Sequence, residues 1–187
     1  MLRILNSLLT LPLICLFWIH SIPQSLFLLG YLPFSPDRKL WAYLFAALLL
    51  LHGLISLALA LQKYRRPHRI YPAQNKGFLL QITMGILILV LLALHAVSFG
   101  YTTSAGEYIL RDPQITTLLL QITLTIAAGL HCLISIPKAC VTLGLLTREQ
   151  HMTCARIAAA AGTLPPVALS LIAFTGYYLP AITGGIW

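Results

Sequence analysis

The chain alternates between long apolar runs and short polar segments, and five of the runs are long enough to cross a membrane. A spanning helix needs about 20 mostly apolar residues. The pattern predicts helices over residues 4–22, 40–62, 77–100, 115–146 and 156–178. A sixth apolar run, SLFLLGYLPF at 25–34, is short and contains Gly30 and Pro33. We interpret it as an interfacial loop rather than a span.

The composition leads to the same interpretation. Of 187 residues, 59% are apolar and only 9% are charged, with a mean hydropathy of +0.88. Such values lie outside the range of soluble globular proteins, so the chain is expected to be a single all-α transmembrane domain over residues 1–187. Arg3 and the apolar run behind it resemble a signal peptide, but SIPQS offers no small-residue cleavage site. We therefore expect a retained first helix.

The charges predict how the helices are oriented. If the five helices simply alternate, nine of the twelve Lys and Arg residues fall on one side of the membrane. That side carries Arg3, Lys63, Arg65, Arg66, Arg69, Lys76, Lys138, Arg148 and Arg156. The other side carries Arg38, Lys39 and Arg111 beside Asp37, Glu107 and Asp112. The positive-inside rule then places the N-terminus inside and the C-terminus outside. Because the basic residues follow the topology, no nucleic-acid partner is expected.

The four cysteines do not point to a metal site. Cys15, Cys132, Cys140 and Cys154 have no metal-ligand spacing, and the absence of C-x-x-C-H excludes covalent attachment of a c-type haem. Small apolar packing residues are the simplest interpretation of all four.

Histidine is the chemically informative residue. His20, His52, His95 and His131 lie one on each of the first four apolar runs, whereas His68 and His151 are predicted in inside loops. An imidazole in hydrocarbon must satisfy its ring nitrogens or cost free energy. For a lone histidine, a hydrogen bond between helices is an equally good explanation. Four of them, one per helix, indicate a shared function.

The depths of these histidines predict two pairs. His20 lies about 25 Å above Arg3 along its helix, and His95 lies about 9 Å before Tyr101, so both are expected near the outer face. His131 lies about 10 Å before Lys138, toward the inside.

The remaining histidine, His52, lies near the middle of the membrane or slightly inside, which pairs it with His131. Each pair joins alternate helices, and in a four-helix bundle with short connections alternate helices face each other diagonally. Two facing imidazoles with a cavity between them form a bis-histidine haem site. The sequence thus predicts two b haems, with His20 and His95 as iron ligands of one and His52 and His131 as iron ligands of the other.

Small and basic residues accompany the ligands. Ser56 and Ser135 each follow a histidine by four residues, on the same helix face, and would leave room for a porphyrin. Lys138 lies two turns beyond His131, where it could meet a haem propionate. Ordinary snorkelling of the lysine to the inner interface is an equally good interpretation.

These residues resemble the dihaem cytochrome b membrane anchors of succinate dehydrogenases and fumarate reductases, of the single-chain five-helix type. In LLQITMGILILVLLALH, the intervals of Gln81, Gly85 and His95 are similar to those of the family's third helix. The interval from His131 to Gly144 and that from His52 to His95 are also similar.

The first helix is similar to the family's opening helix. There NSLLTLPLICLFWIH carries Asn6 where the family has an early histidine. Gly129 replaces an intramembrane glutamate that some fumarate reductases carry two residues before the fourth ligand, so that proton route is not expected here. The resemblance covers about residues 4–175.

The resemblance implies cofactors and partners. Gln81 would join the haem-binding residues. A flavoprotein subunit with covalent FAD and an iron–sulfur subunit would dock on the inside face, with the inner haem proximal and the outer haem near a quinone site. The chain itself would have no catalytic residue for the dicarboxylate. It would lie in membrane lipid as a multi-pass protein of the cell inner (cytoplasmic) membrane, or the mitochondrial inner membrane in a eukaryote, and the whole complex could form an oligomer.

Other interpretations remain open. The chain could be the cytochrome b subunit of a hydrogenase or formate dehydrogenase, or a haemless anchor or transporter that uses its histidines as polar contacts or a proton relay. Contacts to quinone are weakly signalled at the outer end, where interfacial anchoring and solvation explain the same residues equally well. These candidates are Arg38, Trp41, Tyr101 and Glu107.

Overall fold

The protein is described here from a computed structural model, which covers residues 1–35, 37–64, 72–104, 108–146 and 149–184. Within these ranges, five helices are long and apolar enough to span a membrane, so the prediction of an all-α membrane protein is confirmed at that level. The helices are α1 (Leu2–Leu28), α2 (Asp37–Tyr64), α3 (Pro72–Ser98), α4 (Ile115–Thr142) and α5 (Glu149–Thr183).

Glycine determines where α1 and α4 end. Gly30 and Gly144 have φ values of +79° and +73°, a left-handed backbone that strains any residue with a Cβ. After α1, the amides of Gly30 and Tyr31 donate back to Phe27 and Leu26, and the same pattern closes α4. This is the Schellman ending of a helix. It satisfies carbonyl groups of the last turn that would otherwise lack a partner.

These endings correct the predicted boundaries. Residues 25–28 continue α1, so the interfacial loop expected over 25–34 begins only at Leu29. Leu28 is buried in the core, which explains why the helix extends to it. α4 stops at Thr142, four residues before the predicted end. α5 begins at Glu149, so His151 lies in a helix and not in a loop, whereas His68 lies outside the described residues.

A short hairpin between α3 and α4 was not predicted. Strands β1 (Gly100–Thr102) and β2 (Tyr108–Leu110) are antiparallel, and Tyr101 pairs with Ile109. Three residues of alternation are too few to distinguish a strand from a loop by sequence. We call this end of the protein the hairpin end. The opposite end, where α2 finishes and α3 begins, is the loop end.

The first four helices form a ring of neighbours. α1 packs against α2, α2 against α3, α3 against α4, and α4 against α1. In such a ring α1 lies diagonally across from α3, and α2 lies diagonally across from α4. The contact between α2 and α3 is less extensive than those of α1 with α2 and of α3 with α4. One close approach there is at Gly53, where a Cβ would lie 3.0 Å from a Leu89 methyl group.

α5 lies outside this ring and packs against α4 and α1. Its buried face is a stripe of mostly small residues at intervals of three and four, which lets helix backbones approach closely in a membrane. The stripe consists of Ala155, Ala159, Thr163, Pro166, Ser170 and Ala173. On the α4 side, a Cβ at Gly129 would lie 3.1 Å from Val167. Gly129 thus serves the contact between α4 and α5.

Polar side chains fasten α5 to α1. The Trp18 indole Nε1 donates to the Gly162 carbonyl at 2.6 Å. The hydroxyl of Ser170 lies 2.7 Å from that of Ser21 and 3.2 Å from that of Ser25. All three serines are buried. Interhelical hydrogen bonds of this kind add modestly to the stability of a membrane bundle.

The core is concentrated at the hairpin end, and the outer surface is apolar. Leu28, Phe99, Leu118, Ala173, Phe174 and Tyr178 form one buried cluster. By contrast, large side chains of α3 such as Leu79, Ile86 and Val97 are exposed. A continuous apolar exterior on a helix long enough to span a membrane is a lipid-facing surface.

Candidate functional site

Two of the candidate ligands, His52 and His95, lie on the inward faces of α2 and α3. Both faces repeat at alternating intervals of three and four residues, which keeps side chains on one side of a helix. On α2 the face consists of Arg38, Ala42, Phe45, Leu49, His52 and Ser56. On α3 it consists of Gln81, Gly85, Ile88, Leu92 and His95, and Phe99 continues the pattern just beyond the helix. Polar groups therefore lie at two levels within an otherwise apolar bundle.

At the hairpin level, His20 of α1 faces His95 of α3. Their ring centroids are 6.2 Å apart and their planes stand at 83°. Phe45 packs 6.0 Å from the His20 ring, and Phe99 packs 5.3 Å from the His95 ring. The two histidines predicted at one depth thus lie side by side, and the neighbouring aromatic rings limit how they can turn.

Gln121 of α4 contacts one ring nitrogen of His95. The His95 Nδ1 lies 2.5 Å from the Gln121 Oε1. With the amide oxygen toward the ring, Nδ1 carries the proton and donates, and the lone pair of the ring is on Nε2. Metal-binding histidines are commonly oriented in this way by an acceptor on the other nitrogen. Gln121 is 1% exposed, so water does not compete for the bond.

A cavity of about 430 Å³ lies at the hairpin level, within the size range of ligand sites. His20 and His95 both line it, among predominantly apolar side chains from α1 to α5. Cationic residues enter at one end, where Arg38 and Lys39 line the wall at the start of α2. The cavity therefore combines an apolar body with a basic end.

At the loop level, His52 of α2 and His131 of α4 lie close enough to interact electrostatically. The Asn6 backbone lies beside the His52 ring. The Nδ1 atoms of both histidines are buried and have no hydrogen-bond partner among the described residues. A buried polar atom without a partner is costly. His52 has a hydrogen bond to the Asn6 backbone of α1, but the Nδ1 atoms of both rings remain without a partner within the described ranges.

Gly85 gives the His131 ring its space on the α3 side. A Cβ built at this position would lie 3.8 Å from the His131 Cε1, an ordinary contact. A longer side chain would extend further into the volume that the imidazole occupies. Gly85 lies one turn from Gln81 on the inward face of α3.

The polar residues predicted beside the ligands are joined in two clusters. Ser56 exchanges hydrogen bonds with the Asn6 side chain at 3.1 and 3.2 Å, which links α2 to α1. Gln81 donates to Ser135 at 3.0 Å and accepts from Lys138 Nζ at 2.9 Å, which links α3 to α4. The two serines thus also act as hydrogen-bond partners between helices.

The candidate quinone contacts separate into two groups. Arg38 and Tyr101 line the cavity at the hairpin level. Trp41 is 43% exposed and is not part of the cavity wall, as expected for an interfacial aromatic residue. Glu107 lies outside the described residues.

The histidine geometry fits a metal centre held between two imidazoles. A metal about 2 Å from one nitrogen of each ring separates the ring centres by roughly 6 Å. The separation of His20 and His95 is 6.2 Å. Apolar walls, a fixed tautomer of His95 and a basic end complete the features that an amphipathic haem requires.

The sequence did not identify Gln121 and Asn6 as residues that contact the site. Gln121 is the one side-chain amide in the apolar run LLLQITLTIAAGLH, and an isolated polar residue within a span is a signal of function or of a buried partner. Asn6 was noted only as a replacement for a histidine. Its contact with Ser56 depends on how α1 and α2 are rotated, which no local pattern reveals.

Comparison with protein-family models, with curated proteins and with solved structures finds no match to this chain.

Proposed function

We propose that the chain is the dihaem cytochrome b subunit that anchors a succinate dehydrogenase or fumarate reductase complex in the membrane. It would pass electrons between an iron–sulfur subunit and membrane quinone. The observation that supports this most strongly is the facing pair His20 and His95, whose ring centres are 6.2 Å apart on diagonal helices. A second diagonal pair, His52 and His131, lies nearer the loop end.

The protein would hold and orient the haems and exclude water from them. Each pair of imidazoles would bind one iron, and bound haem b supplies reversible one-electron chemistry. Gln121 keeps the proton of His95 on Nδ1 and leaves Nε2 for coordination. Phe45 and Phe99 close against the outer ring pair and keep its surroundings apolar.

The two sites would lie in series across the bundle. On α3, Gly85 marks the level of His131, and it precedes His95 by ten residues, or about 15 Å of helix. The haem at the loop level would be proximal to an iron–sulfur subunit, and the haem at the hairpin level would be nearer a quinone site.

The basic residues give the proposed orientation. With the loop end inside, the positive-inside rule is satisfied by the cluster at 63–76. A flavoprotein with covalent FAD and its iron–sulfur subunit would dock on that face. The complex would lie in the cell inner membrane, or in the mitochondrial inner membrane of a eukaryote.

Counting haem tests the proposal directly. A pyridine haemochrome assay on the purified full chain is expected to give two haem b per chain. The variant His151→Ala, which changes a histidine at the start of α5, is the control and should keep both. A count of zero would contradict electron transfer, and a count of one would contradict the two pairs.

Co-purification distinguishes this proposal from a cytochrome b of hydrogenase or formate dehydrogenase. Expressed with its neighbouring genes, the chain should purify with a flavoprotein and an iron–sulfur protein. A nickel or molybdenum partner in their place would favour the other enzymes. A haemless anchor or transporter would show no change between reduced and oxidised absorption spectra.

A further inference from the structure

We propose that Arg38 binds a carboxylate of the ligand held between His20 and His95, so that the propionate edge of that haem points toward the hairpin end. This inference rests on the proposed function, because it assigns an orientation to a haem at the same site. It gives Arg38 a role that the sequence did not indicate.

Arg38 shares a helix face with the residues around the outer histidine pair. It is the second residue of α2 and lines the same cavity as His20 and His95. Phe45, which contacts His20, follows it by seven residues on that face, or about 10 Å along the helix. This is comparable with the reach of a porphyrin from its centre to its propionate groups. Ala42 lies between them, where a small side chain leaves room beside the cavity.

The guanidinium of Arg38 has an unsatisfied donor at this position. Its Nη1 atom is buried and has no hydrogen-bond partner in the part of the chain that the structure describes. Arg38 as a whole is half-buried, and a buried donor without a partner costs free energy. None of the described residues that line the cavity is acidic. A carboxylate on the ligand would supply a partner for this donor.

The guanidinium of Arg38 favours a ligand that carries a carboxylate. Arginine presents a planar fork of donors that matches a carboxylate with two parallel hydrogen bonds. Lys39 lines the same end of the cavity and adds a second positive charge. A flat apolar molecule with carboxylates on one edge matches both the apolar body and this basic end. A quinone is uncharged and would leave the charge of Arg38 unmatched.

The test compares two porphyrins on the full chain. In the His131→Ala background, which leaves only the site of His20 and His95, the apoprotein is titrated in detergent with iron protoporphyrin IX and with its dimethyl ester. The ester keeps the iron and the macrocycle but lacks both carboxylates. With Arg38 present, the free acid should bind about tenfold or more tightly than the ester, as expected for a charged hydrogen bond.

Arg38→Gln should abolish this preference, and Arg38→Lys should retain part of it. Arg156→Gln, which removes an exposed arginine of α5, should leave it unchanged. Unchanged binding of the ester by Arg38→Gln shows that the variant folds. An equal preference in Arg38→Gln and the parent chain, or no preference in the parent chain, would overturn the assignment and leave the proposed function intact. Binding of neither porphyrin by the parent chain would overturn both.

A membrane also contains fatty acids, which offer the same carboxylate. Excess oleate should not displace the porphyrin, as followed by its Soret band. Displacement that disappears in Arg38→Gln would assign the basic end of the cavity to lipid and would contradict the proposed haem orientation.

Discussion

The imidazole planes of His20 and His95 stand at 83° to each other, with ring centres 6.2 Å apart. Neighbouring groups restrain both rings. The Gln121 amide binds the Nδ1 of His95, and Phe45 packs against His20. If both rings bind one haem iron as proposed, their nearly perpendicular planes would have a spectroscopic consequence.

We expect the ferric haem between His20 and His95 to give a strongly axial low-spin EPR spectrum. Perpendicular imidazoles interact with different iron d orbitals, which keeps the two orbitals nearly equal in energy. The measurement is EPR of the oxidised His131→Ala variant, in which this haem alone should remain. A rhombic spectrum, typical of parallel imidazole planes, would contradict the ring geometry.

Gln121 should determine both the affinity and the potential of the same site. Gln121→Leu removes the acceptor of the His95 proton, and a loss of about 10–100-fold in haem affinity is expected. Gln121→Glu places a carboxylate there, makes the imidazole a stronger donor and should lower the midpoint potential in a redox titration. Gln114→Glu, at the exposed start of α4, is the control and should leave the potential unchanged.

Single histidine variants should separate the two haems. His95→Ala should lose the haem at the hairpin level alone, whereas His52→Ala and His131→Ala should both lose the other. Loss of the haem between His52 and His131 should also weaken attachment of the soluble subunits, because this haem would connect α2 to α4 near the loop end. Redox titration of each variant and co-purification of the flavoprotein are the measurements. If His52 and His95 variants lose the same haem, the pairing is wrong.

The space beside His131 should limit what position 85 can hold. Gly85→Ala places a methyl group 3.8 Å from the His131 ring, so both haems should remain. Gly85→Leu extends into the ring's volume and should remove only the haem at the loop level, as counted by the haemochrome assay. Gly162→Leu is the control, because a Cβ there meets nothing within 4 Å. Loss of both haems in Gly85→Leu would indicate a general folding defect.

Ser170 should contribute to stability without affecting the haems. Ser170→Ala removes its bonds to Ser21 and Ser25, which connect α5 to α1. We expect a loss of about 0.5–1.5 kcal/mol in the free energy of unfolding, measured in mixed micelles, with unchanged absorption spectra. Thr175→Ala is the matched control, because that exposed hydroxyl bonds only carbonyls of its own helix. An equal loss in both variants would exclude a specific role for the serine cluster.

The sequence by itself determined the number of membrane spans and the depth of each histidine. The number of spans follows from the length of apolar runs, because hydrocarbon thickness sets how many residues a helix needs. The two levels of histidines follow from the fixed rise of a helix, which made the pairing of His20 with His95 predictable. The glycines Gly30 and Gly144 end α1 and α4, but the sequence did not place those helix ends at Leu28 and Thr142.

The tertiary structure decided which groups meet. Periodicity identifies the inward face of each helix, but the neighbour that this face meets depends on the rotation and packing of whole helices. For this reason the sequence did not reveal the hydrogen bond that Ser56 makes with Asn6 of another helix. The same limit hid the contact of Gln121 with His95 and the burial of the Arg38 Nη1 atom. These partners are distant in the chain, and only packing brings them together.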